Sequence, residues 1–204
     1  MALTAEEIGI LLRVIYTSNM NRRHKLALHL LIICMVRKSE LIEAIWCEVN
    51  FNSLEWRIRG ERMKMDNPHS VPQSKQAMAM FEELKFLARD SPYVFPSRND
   101  YRRPLSKTTL NCAVRTLDLN VRDSVIHDLR RTASTLLHEQ GYNSDWVEKC
   151  LAHKIGGVRG VYNRAEYLNQ RREMLQSWAD FVDAQIEEGR KVVIGKFGKA
   201  YEVK

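Results

Sequence analysis

Four side chains within residues 127–164 are of the kinds that handle a phosphate: His127, Arg130, His153 and, nine residues after that histidine, Tyr162. His127 and Arg130 stand at i and i+3, so both can face one point from the start of a helix. An arginine fork donates two parallel hydrogen bonds to phosphate oxygens. A histidine moves protons near neutral pH, and a tyrosine hydroxyl becomes a nucleophile when a neighbouring base takes its proton. Brought together, these groups make a phosphate-binding nucleophilic site.

Convergence has to come from the elements beneath them. Leu129, Ala133, Leu136 and Leu137 recur at helical spacing and predict a buried stripe behind His127 and Arg130. Gly141 reads as the left-handed stop of that helix, and Asn143 or Ser144 as the cap of the next. The second helix buries Val147, Cys150 and Leu151 and delivers His153 at its end; Gly156-Gly157 forms a flexible joint before Tyr162.

In order and spacing, HDLRRTASTLL, LAH and VYNRAEYL resemble the tyrosine recombinases, the phage-integrase family, most closely the integrases of satellite phages and genomic islands. A lone His-x-x-Arg means nothing; the ordered set Arg…Lys…His-x-x-Arg…His…Tyr is specific, and the resemblance runs from Arg37 to Asp183. It implies an α+β, mainly α-helical, integrase-type catalytic domain with a small antiparallel β-sheet at one edge. It implies catalytic roles for Arg37, which stands in an R-x-x-E setting, Lys64, His127, Arg130, His153 and Tyr162. The two arginines would clamp the non-bridging phosphate oxygens, and Tyr162 would form a 3′-phosphotyrosyl link. His127 would serve as base, His153 would donate to the phosphate, and Lys64 would protonate the leaving 5′-oxygen. The bond energy stays in the phosphotyrosine, so the resemblance implies no cofactor, ATP or metal. DNA contacts are expected from Arg62, His69, Arg102, Arg103 and Arg131. The implied partners are double-stranded DNA attachment sites, further copies of the chain in a tetramer on DNA, and accessory bending or excision factors.

Composition agrees with a polyanionic partner. The 204 residues hold 32 Lys+Arg against 25 Asp+Glu, a net charge of +7, and no basic amphipathic helix points to a lipid surface. The apolar run Leu26–Val36 is too short to span a bilayer, and no signal peptide is visible. Cys34, Cys47, Cys112 and Cys150 lie far apart in apolar contexts, which predicts buried thiols in a reducing bacterial cytoplasm, near the nucleoid.

Thr4 and Glu7 predict a capping box for a helix with Ile8, Leu11, Leu12, Ile15 and Tyr16 inside. A helix over 24–37 is apolar nearly all round and should be central, ending at Arg37 with Ser39 capping the next. Trp46–Val49, Leu54–Ile58, Arg62–Met65 and His69–Pro72 predict a small antiparallel sheet, with Lys64 on a hairpin. Ser74 caps a helix with Ala77, Met80, Phe81, Leu84 and Leu87 inside, Tyr93–Phe95 is a short strand, and Ser106 caps a further helix. Residues 97–104 carry three arginines and Tyr101 in a polar loop. Tyr167 to Glu187 reads as a long helix. Residues 1–188 are expected to form the catalytic domain and 189–204 a basic, strand-like tail docking in cis or trans. The family's N-terminal arm-binding and core-binding domains are expected to be absent.

Three rivals remain. Cys150-x-x-His153 with His127 and His138 could hold zinc, although no second cysteine pair supports it. A type IB topoisomerase uses nearly the same constellation. A non-catalytic DNA-binding regulator would carry a decayed site.

Overall fold

A computed structural model describes residues 2–63, 66–117, 126–153 and 165–200, without the side chains of His127 and 189–200. Helices α1 (Ala5–Thr17), α2 (Arg22–Cys34) and α3 (Lys38–Ile42) open the chain, followed by a 3-10 turn at Trp46–Glu48. Strands β1 (Val49–Asn50), β2 (Glu55–Ile58) and β3 (His69–Pro72) form one antiparallel sheet in the order β1-β2-β3, with Trp56 opposite Val71 and Ile58 opposite His69. Helices α4 (Lys75–Ala88), α5 (Thr109–Arg115), α6 (Ile126–Glu139), α7 (Ser144–Cys150) and α8 (Leu168–Ala200) complete the fold. This is the expected mainly helical α+β architecture with its small sheet.

Helix α2 is the centre. Every residue from Leu26 to Cys34 is buried, with α4, α6 and α8 packed around it. A helix apolar on all sides has no solvent face to offer, so the others enclose it. The Thr4–Glu7 capping box forms as predicted: Glu7 N donates to Thr4 Oγ1 and Thr4 N to Glu7 Oε2. Helix α1 lies against α8, close enough that a Cβ on Gly9 would sit 2.5 Å from the Gln185 carbonyl oxygen. Arg13 Nη1 donates to that same oxygen at 2.6 Å. Among the described residues no helix is long and apolar enough to cross a membrane.

Several boundaries depart from the sequence reading. Helix α2 stops at Cys34 because Met35 turns left-handed (φ 57°), and Arg37, not Ser39, is the N-cap of α3. Trp46–Glu48 is a 3-10 turn and so is Gly60–Arg62. Both fold back so that Glu48 meets Arg62 and Trp56, which extended strands would hold apart. Helix α5 begins at Thr109, with Ser106 Oγ only bracing the Thr108 amide, and Tyr93 makes a single bridge to Ile45 rather than a strand. The backbone of 190–200 continues α8 instead of forming a strand. Extending an existing helix needs no new nucleus, and basic residues suit its C-terminal end. Cys34 and Cys150 are buried as expected, but Cys47 and Cys112 are exposed; all four are free thiols.

Candidate active site

Helix α6 ends as its sequence requires. Gly141 (φ 81°) receives the turn, Tyr142 N donates to Leu137 O and Gly141 N to His138 O, a Schellman stop. Asn143 then caps α7 by accepting from Asp145 N at 2.8 Å. Helix α7 ends in the same motif with alanine in place of glycine. Ala152 takes φ 47°, Ala152 N donates to Lys149 O, and His153 N donates to Glu148 O. A side chain in that conformation costs on the order of 1 kcal/mol or more, and the turn it makes puts His153 beside Glu148. His153 Nδ1 meets Glu148 Oε2 at 2.7 Å. A carboxylate accepts the Nδ1 proton, which orients the imidazole and fixes its tautomer.

Arg130 reaches from α6 across the α2–α3 turn. Its Nη1 donates to Met35 O at 2.9 Å and its Nη2 to Leu151 O, so it ties the end of α2 to the end of α7. Arg37 is set by Glu40, which is 2% exposed: Oε2 accepts from Arg37 N and Oε1 from Arg37 Nη1, both at 2.7 Å. Burial, and then the charge of Arg37, pull the Arg130 guanidinium down to about 10, with Glu40 opposing. Two arginines that repel each other across a partly buried site attract an anion strongly. The structure therefore brings together Arg37 and Arg130.

His69, at the start of β3, sits among the same charges. It is 7% exposed and its Nε2 finds no hydrogen-bond partner among the described residues. Burial, then Arg171, then Arg130 and Arg37, hold it neutral down to about pH 3. Arg62, expected to contact DNA, is instead committed inward: Nη1 donates to Glu48 Oε2 at 2.5 Å and Nη2 to the Glu40 carbonyl. It positions Glu40, and through it Arg37. Arg131 is exposed and pairs with Asp128; in the loop, Arg102 lies over Tyr101 and Arg103 pairs with Asp100. These three stand free of the core. Lys64, Tyr162 and the His127 side chain lie outside the described residues.

Two residues that hold the site, Glu48 and Arg171, were not singled out from sequence, whereas Glu40 is the acid of the R-x-x-E setting. Glu40 was legible as the i+3 partner of a cap. Glu48, buried beneath Trp56 and Arg62, interrupts an apolar stretch without any periodic signal. Arg171 falls on the buried stripe of α8 between Leu168 and Leu175, where an apolar residue is due. Its Nε donates to Cys150 Sγ at 3.4 Å, which keeps that thiol packed in the core. Among the described residues no cluster of three metal-ligating side chains occurs.

Residues 1–168 match a family model described as the phage integrase family. Among curated proteins, Prophage integrase IntA of Escherichia coli K12 is 42% identical over 154 residues, covering 75% of this chain and 37% of that protein. The integrase of Enterobacteria phage P4 is 34% identical over 175 residues, 78% of this chain and 40% of that one. The chain thus spans about two fifths of the length of these relatives. The lambda integrase catalytic core superposes with a TM-score of 0.57 at 18% identity, covering 77% of this chain and 94% of that one. The Tn1549 transposon integrase, solved with transposon right end DNA, gives 0.62 at 16%, covering 85% and 65%.

Proposed function

The chain belongs to the phage integrase family, and we propose from that premise that it breaks and rejoins duplex DNA at attachment sites through a 3′-phosphotyrosyl intermediate, to insert or excise a mobile element. The observation that carries this reading is the Arg37–Arg130 pair: Arg130 holds the Met35 carbonyl two residues before Arg37, and Glu40 sets Arg37, so two fixed guanidiniums stand near one another. A phosphodiester repels nucleophiles, and its transition state gathers charge on the non-bridging oxygens. Two forks fixed by Glu40, Met35 O and Leu151 O meet that charge without reorganising. Tyr162 attacks phosphorus, His127 takes its proton, His153 donates to the phosphate, and Lys64 protonates the departing 5′-oxygen. The exposed arginines 102, 103 and 131 contact the DNA backbone, and His69 turns its unpartnered Nε2 to the phosphate. Several copies assemble on the DNA as a tetramer, with accessory bending factors, in the bacterial cytoplasm.

Nicked attachment-site duplex, incubated with the protein and resolved under denaturing conditions, tests the proposal. The parent and Tyr167→Phe form a covalent adduct, whereas Tyr162→Phe binds the duplex and forms none. Adduct formation by Tyr162→Phe would remove the assignment. Relaxation of supercoiled plasmid without exchange between paired sites would move the function to a type IB topoisomerase.

A further inference from the structure

Arg171 is fully buried, yet the chemistry just described leaves it unused. Its Nη2 donates to Ser70 O at 2.7 Å, its Nη1 to Glu166 O at 3.2 Å and its Nε to Cys150 Sγ at 3.4 Å. The Glu166 carboxylate lies 3.8 Å from Nη1 and is also held by Lys149 of α7 at 3.0 Å. Each partner adjoins a functional segment. Ser70 follows His69 on β3, Cys150 is three residues before His153, and Glu166 is four residues after Tyr162. At the other end of that segment Arg130 takes the Leu151 carbonyl. Two left-handed residues, Ala152 (φ 47°) and Tyr167 (φ 50°), turn the chain at either limit. The described residues on either side of 154–164 are therefore fastened to one core, Leu151 by the half-buried Arg130 and Glu166 by the buried Arg171. Only a planar fork with five donors reaches three acceptors in three directions; an ammonium does not.

We propose that Arg171 is a positioning residue: it fastens the far end of the tyrosine-bearing segment to β3 and α7 of the same chain, and so sets Tyr162 against its own Arg37 and Arg130. This rests on the reading of Tyr162 as nucleophile. Arg171→Lys keeps the charge and most of the volume. With the nicked duplex, well below the melts of both proteins, its DNA affinity stays near the parent's and its unfolding temperature falls by only several degrees as buried acceptors lose a donor, while the adduct rate at saturating DNA falls by about 100-fold, the scale of a small misplacement of a nucleophile. Glu166→Ala, at an exposed position, lowers the same rate by about tenfold, since a weaker share of the tether is lost. A second arm frees the attack from the tether. In the Tyr162→Phe background, hydrogen peroxide supplies a hydroperoxide anion that bonds to phosphorus as the bond to the 5′-oxygen breaks, leaving a nick and no adduct. That cutting is equal with and without Arg171→Lys. If Arg171→Lys slows peroxide cutting as much as tyrosine attack, Arg171 supports the phosphate clamp and the proposal is overturned. If Arg171→Lys or Glu166→Ala forms adduct at the parent rate, it is overturned as well. A parent protein that forms no adduct sinks the nucleophile assignment itself, a distinct result.

Discussion

Replacing Glu48 should damage the protein twice, in stability and in chemistry. Its carboxylate is 1% exposed and takes three donors: Arg62 Nη1 at 2.5 Å, Trp56 Nε1 at 3.2 Å and Arg59 N at 3.4 Å. Glu48→Ala leaves a buried guanidinium without its counter-charge, a loss of about 3–5 kcal/mol. At this chain length each kcal/mol moves the midpoint by about 2–4 °C, so the unfolding temperature falls by roughly 6–20 °C. Glu48→Gln keeps an acceptor and gives up only the charge assistance, about 1–2 kcal/mol. Because Arg62 also holds the Glu40 carbonyl, and Glu40 holds Arg37, cleavage by Glu48→Gln drops further than its stability explains. Circular dichroism melts of Glu48→Ala, Arg62→Met and the double variant close a cycle. The double variant regains at least about 1 kcal/mol over the sum of the singles, because no uncompensated charge remains. Strictly additive losses, or a Glu48→Ala midpoint equal to the parent's, would refute the reasoning.

Acid should destabilise the fold ahead of general carboxylate protonation. Burial holds His29 near 4 and His69 near 3, whereas the unfolded chain protonates them near 6.5. Their stabilisation is complete above that value and is lost as pH falls from 6.5 towards 4 and 3, at up to about 1.4 kcal/mol per pH unit for each. Urea unfolding between pH 7 and 5 shows this slope, reduced by one proton in His29→Gln; a flat profile contradicts it. Gly9→Ala forces α1 off α8 and destabilises by about 1–3 kcal/mol before a helix-propensity gain of up to 1. Gly141→Ala, with nothing within 4 Å, loses only its left-handed turn, about 1 kcal/mol; thermal melts that rank the two in reverse order are the contrary result. Lys64→Ala should cleave ordinary DNA slowly but cut a strand with sulfur at the 5′-bridging position at nearly the parent rate. A thiolate with a pKa near 8.5 leaves without an acid. Equal impairment on both strands assigns Lys64 elsewhere.

Local rules carried much of the architecture. The capping box at Thr4, the glycine stop at 141 and the Asn143 cap are each decided within four residues, so they could be read directly. Arg130 was legible because its i−3 histidine and apolar stripe come from one helix. What escaped depends on distance along the chain. Arg62 looks like a free cation on a hairpin until Glu48, fourteen residues earlier, is folded against it. Arg37 looked like the end of α2 because nothing in Cys34-Met35-Val36 announces a left-handed methionine; a tertiary partner, Arg130, takes the carbonyl there. The alternation at 46–49 suited a strand, but burying Glu48 required a tighter turn. Arg171 has partners on three different elements, and sequence carries only the hint of a charge on an apolar stripe.

The packing of α1 on α8 has a consequence for synthesis. Arg13 waits for a carbonyl 172 residues downstream. At about 5–20 residues per second, a ribosome needs on the order of 10–30 s to bring that carbonyl out. Through that interval Ile8, Leu11, Leu12 and Ile15 lack their main cover. Helix α2, buried from Leu26 to Cys34 in the finished fold, emerges early and waits as well. The nascent chain therefore carries two sticky helices past the tunnel mouth long before α8 can close over them, and its yield in the cell should respond to translation speed and to chaperone supply more than its finished stability would suggest.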